Sequence, residues 1–90
     1  MSSELEAGGT RPRILVIDDD AVVLRVLARR LGRRYTVVAL TSAARALSLL
    51  DSGVHFDAVV CDVLMPGMTG VGFLSALERR HPALARRVVF

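Results

Sequence analysis

A parallel α/β sheet with helices packed on both faces is the fold class this sequence predicts, on three observations. Two short apolar runs, Ile14-Leu15-Val16-Ile17 and Ala58-Val59-Val60-Cys61, show no polar alternation, as central parallel strands covered on both sides require. Around them the apolar residues recur at helical spacing, so strand-length runs and helical stretches take turns along the chain, the signature of strand–helix–strand units. The length of 90 residues allows one small domain.

The first strand spans Arg13 to Ile17. Asp20 is placed to cap the helix that follows, because its carboxylate can accept from the unpaired amides of the first turn. Val23, Val26, Leu27 and Leu31 recur at three-and-four spacing and form the expected buried stripe of that helix, with Arg25 and Arg29 off it, and Gly32 stops it. Tyr35 to Leu40, rich in β-branched residues, reads as the second strand. Thr41 or Ser42 caps a second helix with Ala43, Ala46, Leu47 and Leu50 on its apolar face, and Asp51-Ser52-Gly53 ends it. The third strand, Ala58 to Cys61, leads into a loop over Met65 to Thr69 in which Pro66-Gly67 is a turn signal. A third helix starts near Gly70, buries Phe73, Leu74 and Leu77, and ends before His81-Pro82, since proline disfavours a helical residue ahead of it. Arg87 to Phe90 begins a fourth strand.

Composition narrows the function classes. With 52% apolar residues the chain is globular, and no apolar run comes near the ~20 residues that span a bilayer. Residues 1–10, with Ser, Glu and Gly and neither a basic start nor an apolar stretch, read as a loose leader and not as a secretory signal, so a cytoplasmic location is expected. The single cysteine, Cys61, lies inside an apolar strand and is expected to be core packing. All 12 basic residues are Arg, mainly in pairs near helix ends and strand starts, where cations oppose the negative end of a helix dipole. No nucleic-acid-binding motif accompanies them, so neither nucleic acid nor membrane is expected as a direct partner.

The chemistry lies where the strands end. Asp18, Asp19 and Asp20 follow the first strand and Asp62 follows the third. In neighbouring parallel strands, Asp18, Asp19 and Asp62 would share one crevice at the carboxyl edge of the sheet, where open α/β sheets bind ligands. Carboxylates ~4 Å apart repel by roughly 4 kcal/mol at an effective dielectric of ~20, so such a group calls for a cation, a shared proton or open water. A hard cation with oxygen ligands, Mg²⁺, answers that need.

These residues resemble the receiver domains of two-component response regulators. ILVIDDD before a helix looks like that family's first strand and acidic pocket, and FDAVVCDVLMPGMTG looks like its third strand, phosphoacceptor and following loop. The resemblance runs from about Arg11 to Phe90 and implies a flavodoxin-like three-layer α/β/α domain, strand order 2-1-3-4, lacking the fifth strand–helix unit. It implies Asp62 as phosphoacceptor and Mg²⁺ held by Asp18, Asp19 and Asp62 with the backbone carbonyl of Leu64. It implies a sensor histidine kinase or histidine phosphotransfer protein as donor, an output domain outside these residues, and a regulatory domain, not an enzyme in its own right, that promotes its own phosphorylation and dephosphorylation. The family's hydroxyl residue after strand four and lysine after strand five have no counterpart here, and Ala21 replaces a frequent proline. If these 90 residues are the whole chain, an apolar strip beside the first helix and an open strand-four edge are expected to drive a homodimer or swapped assembly.

Two rivals set the tests. A degenerate receiver would keep the fold as an interaction or dimerisation module without phosphorylation. A haloacid-dehalogenase-type phosphohydrolase would use Asp18 as nucleophile and Asp20 as acid/base, but leaves the Asp62 loop unexplained. His55 and His81 read as solvated loop residues, Met65 and Met68 as loop packing, and Asp51 and Asp57 as turn or cap residues.

Overall fold

In a computed structural model of the chain, residues 11–90 apart from Leu64 and Pro66 are described. The leader over residues 1–10 and the Leu64 carbonyl therefore lie outside the described residues. The elements run β1 (Arg13–Ile17), α1 (Ala21–Leu31), β2 (Thr36–Leu40), α2 (Ala43–Asp51), β3 (Ala58–Cys61), α3 (Gly70–Arg80), α4 (Pro82–Ala85) and β4 (Val88–Val89). The strands form one sheet of order β2-β1-β3-β4, parallel throughout.

Three layers follow from which apolar residues each helix offers. Leu15, Ile17, Val59 and Cys61 point to one face and are buried against Ala43, Ala46, Leu47 and Leu50 of α2 and Phe73, Ala76 and Leu77 of α3. Ile14 and Val16 point to the other face, where Leu24 of α1 covers them with help from Leu27, Leu31 and Tyr35. The expected stripe of α1 is corrected by one position. Leu24 is buried, but Val23 and Val26 are 39% and 50% exposed. A leucine reaches the sheet from position 24, and the 24-27-31 spacing satisfies the helical repeat as well as 23-26-27-31 does.

The ends of the elements match their local chemistry. The Asp20 carboxylate accepts from the amides of Val22 (2.9 Å) and Val23 (3.3 Å), and the Ser42 hydroxyl, not Thr41, caps α2 by accepting from the Arg45 amide at 3.2 Å. The short helix α4 carries Pro82 in its first turn, where a missing amide costs nothing. Leu74 is only half-buried, and its place in the core is taken by Ala76. Among the described residues no helix is long and apolar enough to cross a membrane.

His81 differs from its expected solvated role. Its Nε2 lies 2.8 Å from Asp51 Oδ1 while Arg80 donates to Oδ2, so the C-terminal ends of α2 and α3 are clasped. Asp57 accepts from the backbone amide of Arg13 at 2.7 Å and lies 3.3 Å from His55 Nε2, tying the approach to β3 to the start of β1. The His81 imidazole, with Arg80 beside it, lowers the carboxyl of Asp51 below its ordinary 3.8; the Arg13 amide, then His55, does the same for Asp57. A carboxyl lowered by folding contributes stability that is present above about pH 4 and lost as pH falls through the folded value. Asp51→Asn and Asp57→Asn should therefore lower the urea midpoint at pH 7, and the difference from the parent chain should shrink as pH falls below the ordinary carboxylate range.

Candidate phosphoacceptor and metal site

Register brings the acids together. Ile17 of β1 pairs with Cys61 of β3, so the next residue on each strand, Asp18 and Asp62, emerge side by side. Both are pinned just past the strands: the Asp62 amide donates to the Ile17 carbonyl at 2.9 Å, and the Asp18 amide to the Leu40 carbonyl at 3.2 Å. The chain runs from β1 to β2 on one side and returns across β1 to β3 on the other, so the gap above β1 and β3 is where the strand order reverses.

Carboxylate oxygens of Asp18, Asp19 and Asp62 all lie within 4.8 Å of one another. The Asp18 carboxylate is oriented by the Asp20 amide, which donates to Oδ1 at 2.9 Å. Asp20 itself is spent as the α1 cap and stands outside the cluster, as its expected role requires. Asp19 is exposed while Asp18 and Asp62 are half-buried, so the group opens to solvent on one side.

The donor set fits a hard divalent cation. Mg²⁺ holds oxygens at about 2.0–2.1 Å, so opposite ligands of an octahedron stand ~4.2 Å apart and adjacent ones ~3 Å. Oxygens no more than 4.8 Å apart need only a small closure to meet that geometry, and the open side leaves room for water and a phosphoryl oxygen. The negative field reaches the neighbouring thiol. Burial, reinforced by the charges of Asp62 and Asp18, pushes Cys61 up to about 11, so it remains a neutral core residue donating to the Asp62 carbonyl at 3.3 Å.

The segment after Asp62 is shaped by two glycines. Gly67 has φ +83°, a conformation side-chain-bearing residues rarely adopt. A Cβ on Gly70 would sit 2.9 Å from the Asp62 carbonyl oxygen and from Val63 Cα, and 2.8 Å from the Phe90 ring. The sequence marks Gly70 only as a helix start, yet this packing lets α3 begin directly against the backbone of Asp62 and Val63. The Gly70 amide donates to the Val63 carbonyl at 2.7 Å, and the Thr69 hydroxyl caps α3 by accepting from Gly72 at 3.1 Å. Met65 is buried beside this loop, as expected.

Known proteins share the sequence pattern and the fold. The response regulator receiver domain family matches residues 14–90. The hydrogenase transcriptional regulatory protein HoxA of Cupriavidus necator is 37% identical over 84% of this chain and 16% of its own length. A two-component response regulator of Oryza sativa subsp. indica is 38% identical over 79% of this chain and 49% of its own. The solved signal receiver domain of an HD-domain-containing protein from Pseudomonas fluorescens Pf-5 superposes with a TM-score of 0.76 at 31% identity, covering 84% of this chain and 56% of that one. The chain thus spans half or less of the length of these curated relatives, and among the described residues there is no fifth strand–helix unit. On this match and on the acid-tipped parallel sheet of order 2-1-3-4, the chain belongs to the response regulator receiver domain family.

Proposed function

We propose that this domain accepts a phosphoryl group on Asp62 from a histidine of a partner kinase or phosphotransfer protein, with Mg²⁺ held by Asp18, Asp19 and Asp62. The convergence of these three carboxylates within 4.8 Å carries the reading. An Asp62 oxygen attacks phosphorus, the bond from phosphorus to the donor nitrogen breaks, and its electron pair leaves with the imidazole. Bound Mg²⁺ supplies positive charge that offsets the repulsion between an anionic nucleophile and an anionic phosphoryl group. Asp18, steadied by the Asp20 amide, keeps its charge directed into the corner, and Asp19 faces the open side from which a donor approaches. The Leu64 carbonyl completes the proposed ligand set. The acyl phosphate adds about −1.5 to −2 charge, and the shift of nearby donors toward it is the signal.

Incubation with acetyl phosphate and Mg²⁺ should add the mass of one phosphoryl group, and chelation should prevent it. A chain that binds Mg²⁺ yet never acquires the mass would instead be a degenerate receiver. The two curated relatives are named as regulators and are longer than the stretch matched here, which supports an output segment outside these residues; a cytoplasmic place of action is part of the same proposal. If these 90 residues are the whole chain, we also propose a homodimer or swapped assembly, because β4 pairs only with β3 among the described residues and Val89 and Phe90 are 59% and 50% exposed. Sedimentation equilibrium should show a dimer, and a monomer at high concentration would overturn this.

A further inference from the structure

Away from the acid corner, at the amino edge of the sheet, a cavity of about 380 Å³ opens between two walls. One wall is the end of α2 and the lead into β3, with Leu50, His55 and Phe56; the other is α4 with its flanks, carrying His81, Leu84 and Arg87. Both walls are fixed in place. The Asp51–His81 contact at 2.8 Å ties one to the other, and the Val59 amide donates to the Arg87 carbonyl at 3.0 Å. Leu50, Phe56 and Leu84 are buried together in the larger core cluster and give the cavity an apolar floor.

Its ionisable lining is all nitrogen. His55, His81 and Arg87 line the cavity, and among the described residues no carboxylate does. The nearby acids are engaged elsewhere: Asp51 with His81 Nε2 and Arg80, Asp57 with His55 Nε2 at 3.3 Å and the Arg13 amide. An imidazole whose Nε2 faces a carboxylate keeps its proton there, so a neutral ring leaves a lone pair at Nδ1. Arg87 is then the one described lining side chain with a full charge, and it makes no ion pair with a described carboxylate, although its charge is felt at Asp57. A single guanidinium beside an apolar floor selects one anionic group on an apolar body, because arginine grips a carboxylate through two parallel hydrogen bonds. A nucleotide would bring several charges to meet one cation.

We propose that this cavity binds a small aromatic monocarboxylate, its ring on Leu50, Phe56 and Leu84 and its carboxylate on the Arg87 guanidinium. Phe56 in the floor favours an aromatic body over an aliphatic one. The volume lies within the range of about 300–1,000 Å³ usual for small-molecule sites, at its lower end. Bound there, the ligand bridges the end of α2 to the start of β4. This inference does not depend on whether Asp62 is phosphorylated.

Titration of the isotope-labelled full chain with phenylacetate, read by backbone amide shifts, tests it. Saturable shifts should centre on Leu50 to Phe56 and His81 to Arg87, with a Kd of order 1 mM, as suits a ligand of about ten heavy atoms. Phenylacetamide, the same shape without the charge, should bind at least about tenfold more weakly. Arg87→Leu should cost a similar factor and keep the fold, since residue 87 is held by its backbone: its amide donates to the Leu84 carbonyl and its carbonyl accepts from Val59. Ala83→Phe, at an exposed lining position, should fill the cavity and abolish saturation without touching the core. No saturable shift by about 10 mM overturns the proposal, as does phenylacetamide binding as tightly as phenylacetate. Binding that survives either substitution in a folded chain overturns it too, and so do shifts centred on Arg25 to Arg33, where exposed guanidiniums would be taking any anion.

Discussion

Asp62→Asn is expected to abolish labelling by acetyl phosphate, with no residual incorporation detectable by intact mass. An amide oxygen carries no negative charge and is not a competent nucleophile, and the other two carboxylates of the cluster do not take its place: Asp18 accepts from the Asp20 amide, and Asp19 sits on the exposed rim. The fold should survive, because the pairing that positions residue 62 is made by its backbone amide on the Ile17 carbonyl. Removing one of three clustered charges also relieves repulsion, so without divalent cation the variant should melt within about 1 kcal/mol of the parent. The same variant separates this reading from a phosphohydrolase acting through Asp18 and Asp20, which would keep its label. The commitment of Asp20 to the amides of Val22 and Val23 already argues against that chemistry.

Phe73→Ala should be the most damaging core substitution. Phe73 is 0% exposed within the larger core, among residues of β1, β3, α2 and α3. Truncating a buried phenylalanine typically costs about 3–5 kcal/mol, from lost transfer energy plus the cavity left behind. A domain of this length has roughly 5–13 kcal/mol in total, so the loss takes about a fifth of it or more. Each kcal/mol shifts the melting temperature of so small a domain by about 4–8 °C, so the variant should melt more than 10 °C lower by circular dichroism. Val71→Ala on the same helix, at a position 69% exposed, should stay within about 0.5 kcal/mol, and equal costs for the two would refute the layer assignment.

The strands were legible because central parallel strands must be apolar on both faces, which few other segments imitate. Asp18, Asp19 and Asp62 were legible for a related reason: each directly follows such a run, and parallel pairing places the two run ends at the same edge. The stripe of α1 was not, because Val23 and Val26 meet helical periodicity as well as Leu24 does, and only contact with Ile14 and Val16 selects between them. The Asp51–His81 clasp joins residues 30 positions apart, brought together only when α2 and α3 pack on one face. The short α4 was within reach of sequence reasoning, since a proline after a helix end suits the first turn of another.

The two sides of the sheet are unequally secured, and that inequality bears on signalling. On the α1 side the buried residues, among those described, are Ile14, Val16 and Leu24, with partly buried neighbours such as Leu27 and Leu31, whereas α2 and α3 are anchored by the larger cluster around Phe73. Helix α1 is thus the layer least costly to detach in a sub-global opening, and its cap residue follows Asp18 and Asp19 without a spacer. When α1 lifts, two of the three anions lose their alignment while the rest of the domain remains native. By linkage, any ion or phosphoryl group that favours the aligned trio must also rivet this helix down, so events at one aspartate are reported along the whole length of an otherwise loose surface.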